Sequence, residues 1–191
     1  MYNRSFSLVS QRNCMLMMVD MQERILSAAA GGDMVVFNAC RLIEAANEFS
    51  IPVFVTEQYP EKLGETVPAI AKLLIAGTRC FTKRAFSICS IGELCELVEE
   101  RVEPKVVICG VELHVCVLQS AFDLMAIGKE VIVVTDACAC RFQNDYDIAL
   151  RRLESAGATL TTTEMTMFEW CETSDTAAFK KISKLAKERL N

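Results

Sequence analysis

Residues 14–20 read CMLMMVD, six apolar residues followed by an acid. A strand with one wet face alternates apolar and polar residues. An unbroken run is instead what a strand covered on both faces requires, as in a parallel sheet flanked by helices. Ile51–Val55, Val106–Cys109 and Val131–Val134 repeat the pattern, with Glu57, Glu112 and Asp136 close behind. Thr78–Thr82 and Thr159–Thr163 are weaker strand segments. Helical spacing fills the gaps. Asp33 reads as the N-cap of a helix whose stripe is Val36, Ala39, Cys40, Ile43 and Ala46. Ser90 and Glu93 form a capping-box pattern for a helix ending near Arg101, before Pro104. A third helix follows Val115 and stops at Gly128, and a fourth runs from about Asn144 to Gly157. The last begins near Ser174 and turns Phe179, Ile182, Leu185 and Ala186 inward. Strand then helix, about six times over, predicts an α/β fold. It is a doubly wound, mostly parallel six-stranded sheet with helices on both faces, Rossmann-like in build. One domain is expected over 14–191, after a short extension at 1–13.

Composition narrows the function. Of 191 residues, 52% are hydrophobic and 24% charged, enough for a sizeable core and too apolar for disorder. The net charge of -5 speaks against a nucleic-acid or anionic-membrane binder, which needs a basic face. No apolar run reaches the roughly 18 residues of a spanning helix. The N-terminal stretch has no apolar signal core, so the ten cysteines read as reduced thiols in an intracellular compartment. The cytoplasm is the expected location. Arg4 and Arg12 in an acid-free leader keep a mitochondrial or other organelle address as the alternative. A single histidine, His114, and the lack of CxxC argue against a multi-histidine metal site.

In open parallel sheets ligands bind beyond the carboxyl ends of the strands, at the switch in strand order. Those ends offer Asp20, Glu57, Glu112 with His114 and Cys116, and Asp136; Lys83 follows the weak third strand. Neither a GxGxxG after the first strand nor a phosphate-binding GxxxxGK[ST] is present. Cys116 stands at the expected start of the helix CVLQSAFDLMAI, where backbone N–H groups and the helix dipole lower a thiol pKa. A buried structural role is the ordinary reading for any one of the ten cysteines, and Cys116 reads either way from position alone. Asp20 can serve as a base if desolvated, or as a cap for MQERI. His114 is too near in sequence to Cys116 to face it of necessity.

The segments MVDMQERI, TEQYPEKLGETVP, KRAFSI, CGVELHVCVLQSAFDL and VTDACACR, in that order, resemble the isochorismatase-like cysteine hydrolases. Within them the chain is most similar to the isochorismatase domain-containing subgroup, over about residues 14–187. The resemblance implies a catalytic triad of Asp20, Lys83 and Cys116. It also implies a cis peptide between Val111 and Glu112, and an oxyanion site from the backbone N–H groups of Glu112 and Cys116. Gln22, Gln58, Tyr59, Phe86, Glu112 and His114 are the expected pocket residues. No cofactor or metal is implied. The activity implied is acyl transfer through a cysteine thioester on a small amide or related carbonyl compound. The expected partners are a small-molecule substrate and further copies of the chain, with neither nucleic acid nor membrane. Two other classes stay open: a binding or regulatory protein with vestigial catalysis, and a thiol redox protein using Cys138 and Cys140 or Cys116.

Overall fold

The sheet is built from β1 (Cys14–Val19), β2 (Val53–Gln58), β3 (Arg79–Lys83), β4 (Lys105–Val111), β5 (Glu130–Ala139) and β6 (Thr159–Thr161) in a computed structural model that describes residues 3–190. Every residue of β1 and β4 is buried, as their unbroken apolar runs require. The strands lie in the order β3-β2-β1-β4-β5-β6 and every pairing is parallel. The chain therefore winds outward from β1 to β3, crosses back, and winds outward again from β4. The switch falls between β1 and β4, which pair from Cys14↔Lys105 to Val19↔Gly110.

Nine helices cover the sheet among the described residues: α1 (Glu23–Leu26), α2 (Gly32–Glu48), α3 (Pro60–Leu63), α4 (Pro68–Ala71), α5 (Gly92–Glu100), α6 (Leu118–Ala126), α7 (Gln143–Ser155), α8 (Thr163–Cys171) and α9 (Phe179–Lys187). Helices α2, α8 and α9 pack together in one layer, and α6 and α7 pack together in another. The core between them includes Trp170, Leu42, Ile43, Leu124 and the methionines of β1. Residues ahead of β1 are tied down: Val9 is buried, the Arg4 guanidinium donates to Glu169 O (2.6 Å), and Lys105 Nζ donates to Leu8 O (3.1 Å).

Several local expectations are corrected. β2 begins after Pro52 and reaches Gln58, and β5 runs on through Thr135–Ala139, a polar and small-residue tail that hides its strand character. β6 stops at Thr161 because Thr162 caps α8, its side chain accepting from Met165 N. α8 itself was not visible in the sequence: Thr163, Thr166, Met167, Trp170 and Cys171 are all buried, so no clean apolar stripe remains. Asp33 lies in the first turn of α2 behind Gly31, whose φ of 77° suits glycine. The capping box does not form, since Ser90 Oγ donates to Ser87 O and α5 starts at Gly92. α9 begins at Phe179 rather than near Ser174, and Ile182 and Leu185 are its buried face.

Candidate active site

Two chain segments leave the sheet at the switch point. Asp20 follows β1, and a π-helical turn, Leu113–Val117, follows β4. Asp20 has a φ of 54°, a left-handed conformation that a short acidic side chain tolerates, and its side chain is fully buried. Its Oδ1 accepts from Thr56 Oγ1 at 2.9 Å and its Oδ2 from Lys83 Nζ at 2.6 Å. The alternative role, capping MQERI, is not taken: both carboxylate oxygens are committed to these partners, and Gln22 precedes α1.

Lys83 ends β3, two strands from β1. Its side chain passes over β2 and also donates to Gln58 Oε1 at 2.7 Å. Gln58 is held in turn by Gln22, whose Oε1 accepts from Gln58 N (2.8 Å) and whose Nε2 donates to Gln58 O (3.0 Å) and to Gly64 O. A buried lysine and a buried carboxylate thus satisfy each other and draw further hydrogen bonds from neutral groups, the condition for an ion pair to persist inside a core.

Cys116 lies in the π-helical turn rather than at the N-terminus of α6, which begins at Leu118. Its thiol adjoins both Asp20 and Lys83. Burial pushes the thiol up to about 12; the Asp20 carboxylate adds to the rise and Lys83 opposes it. The expected lowering of its pKa is therefore corrected: desolvation and an adjacent carboxylate outweigh the lysine. Ser120 fixes the turn, since its Oγ donates to Cys116 O (2.6 Å) and accepts from Ile88 N (3.0 Å).

Cys116 opens onto a cavity of about 260 Å³, which Gln58, Phe86, Val111, Glu112 and Arg141 also line, with Ile25, Leu63 and Val115 as further apolar walls. The Val111–Glu112 peptide is cis. Arg141 lies outside the expected pocket set. It follows β5 by two residues, and both its Nε (3.0 Å) and its backbone N (3.2 Å) donate to Glu112 Oε1. Only its place in the motif VTDACACR could have flagged it. Of the other expected pocket residues, Gln22 is buried behind Gln58 and outside the cavity lining. Tyr59 is also outside, its ring under the Arg84 guanidinium at 3.3 Å. His114 turns away to Cys140, with Nδ1 3.1 Å from the sulfur. Among the described residues no group of three His, Cys, Asp or Glu side chains is placed to hold a metal, and no helix is long and apolar enough to cross a membrane.

Comparison with known proteins places these features in a wider set. The isochorismatase domain model matches residues 14–165. Isochorismatase domain-containing protein 2 of Bos taurus is 37% identical over 175 residues, 91% of this chain and 83% of that protein. The solved structure of MAR1 ribonuclease from Caenorhabditis elegans superposes with a TM-score of 0.89 at 38% identity, covering 93% of this chain and 91% of that one. The Escherichia coli YcaC gene product, described as an octameric hydrolase of unknown specificity, superposes with a TM-score of 0.88 over 97% of this chain and 93% of its own. Its 21% identity speaks to fold alone.

Proposed function

The chain belongs to the isochorismatase family, and from that premise we propose that it is a cysteine hydrolase acting by acyl transfer on a small amide or related carbonyl compound. The observation that carries the reading is the buried Asp20–Lys83 pair set against the Cys116 thiol at the strand-order switch. A thiol at about 12 is thiolate to only about one part in 10⁵ at pH 7, so the nucleophile needs a base at the moment of attack. Asp20 takes that proton. Lys83 holds Asp20 in place and offsets the negative charge as the sulfur develops it. The sulfur attacks the carbonyl carbon, and the backbone N–H groups of Glu112 and Cys116 take the oxyanion. Asp20 returns the proton to the leaving amine. It then draws a proton from water as water cleaves the thioester.

The cavity sets the substrate class. At about 260 Å³ with mostly apolar walls it fits a small acyl group, and Gln58, Glu112 and Arg141 supply the polar contacts. Arg141 is the single basic residue lining it and is already engaged by Glu112, which suits a carbonyl substrate better than a polyanionic backbone. Self-association, as in the octameric Escherichia coli protein, is part of the same reading. The test is intact-mass trapping of a thioester on Cys116 against a panel of small amides, esters and a short RNA. An acyl adduct that maps to Cys116 and is absent from Cys116→Ala supports the proposal. Turnover of any substrate retained by Cys116→Ala would overturn it.

A further inference from the structure

The turn that carries Cys116 also serves a second thiol. Cys140 follows β5, and its sulfur is 3.1 Å from His114 Nδ1. The backbone N–H groups of Leu113 and His114 lie near the same sulfur and act to lower its pKa. On the far side of the ring, Nε2 stands 3.9 Å from Asp145 Oδ2 in the first turn of α7. A carboxylate there favours the tautomer with its proton on Nε2, which leaves the Nδ1 lone pair facing the thiol. Cys140 thus has a base within reach of its thiol and two backbone N–H groups near its sulfur. Those donors hold a charged sulfur more strongly than a neutral one. They oppose the burial that pushes the thiol up to about 11, a rise to which the Glu112 and Asp145 carboxylates add. Cys140 lines a cavity of about 210 Å³ together with Met34, Thr135, Cys138, Phe142 and Tyr146, and none of these lines the Cys116 cavity.

We propose that Cys140 is a peroxide-reactive thiol, with His114 as its base and Asp145 as the carboxylate that positions the base. His114 Nδ1 takes the thiol proton, and the sulfur donates an electron pair to the near oxygen of a hydroperoxide. The O–O bond breaks, and the departing oxygen receives the proton from His114. With hydrogen peroxide the products are a cysteine sulfenic acid and water; sulfur is oxidised and peroxide reduced. The site uses none of the groups assigned to hydrolysis.

The experiment pulses the whole protein with limiting hydrogen peroxide and quenches with catalase. The protein is then unfolded in a cyclic 1,3-dione with iodoacetamide, and the cysteine peptides are mapped. The expected result is sulfenic acid at Cys140 ahead of Cys116 and ahead of Cys80, which is the exposed thiol. His114→Gln should slow marking of Cys140 by about tenfold or more. If circular dichroism shows that His114→Gln fails to fold, His114→Asn removes the same base and gives the same readout, with a similar expected loss. First marking at Cys80 or Cys116 would overturn the assignment, as would an unchanged Cys140 rate in whichever of the two variants folds.

Discussion

Removing the Asp20 charge should cost more than removing the Asp20–Lys83 pair altogether. The two side chains are fully buried and 2.6 Å apart. At an effective dielectric near 20 their attraction is about 6 kcal/mol, much of it spent on taking both charges out of water. Asp20→Asn keeps the shape but not the chemistry. Its one acceptor oxygen can serve Thr56 or Lys83, and its amide group then turns N–H donors toward the other. With that oxygen on Thr56, Lys83 would keep only Gln58 Oε1. Stranding a buried charge this way typically costs about 3–5 kcal/mol. For a chain of this size that is a fall in Tm of roughly 6–20 °C. Lys83→Met strands Asp20 by the same logic. The double variant strands no charge, so its loss should fall short of the summed singles by about 2 kcal/mol or more. Urea unfolding of the four proteins at pH 7 gives the cycle directly. Additivity to within about 0.5 kcal/mol would refute the claim that the two groups are energetically one unit.

Three further outcomes follow from the same geometry. Asp20 raises the Cys116 thiol and Lys83 lowers it, so the midpoint of a pH profile for Cys116 alkylation should fall in Asp20→Asn and rise in Lys83→Met; a shift in the same direction for both would contradict the arrangement. Burial holds Cys14 and Cys138 at about 12 against 9 in an open chain, so above pH 9 the unfolded chain sheds protons that the native one keeps. Stability then falls as pH rises from 9 toward 12, by about 1.4 kcal/mol per pH unit for each such thiol, and a urea midpoint flat from pH 8 to 10.5 would count against it. Gly110→Ala should be among the most damaging small substitutions, since Gly110 has a φ of 135° and an added Cβ would sit 2.1 Å from Val19 O; a Tm within about 3 °C of the parent would show that β1 and β4 can part there at little cost.

How much of this was legible beforehand depends on what kind of signal each feature leaves. The inner strands announced themselves because CMLMMV and the VVIC run have no polar position to spare, and both are buried end to end. Position beyond those strands put Asp20 and Cys116 among the candidates, beside Glu57, Glu112 and Asp136, and the resemblance chose between them. Lys83 needed the resemblance, because one lysine after an exposed-looking strand is ordinarily a solvated charge. Arg141 left only its place in VTDACACR as a signal, and the turning away of His114 left none: His114 meets Cys140 across 26 residues of sequence, through a tertiary contact that no local period encodes. Electrostatics misled in one respect. A helix N-terminus argued for a low Cys116 pKa, but Cys116 lies in the turn before that helix, and burial and the Asp20 carboxylate outweigh Lys83.

That last correction bears on why the sheet carries the site as it does. Parallel strands lie about 4.8 Å apart, so β3 is two spacings from β1, and only a long side chain can bridge from one to the other. Gln58 pairs with Lys83 across β2–β3, and Val19 pairs with Thr56 across β1–β2. The lysine therefore passes over a strand whose own residues, Thr56 and Gln58, supply hydrogen bonds to its target and to itself. The carboxylate is fixed from β2 and β3 on one side, and Cys116 is delivered from β4 on the other. Had the chain continued outward from β3 to β4 without crossing back, no strand end would adjoin β1 there and the thiol would have no carboxylate beside it. The strand-order switch is thus the step that turns three residues spread over 97 positions into one buried cluster, with Asp20 at the seam.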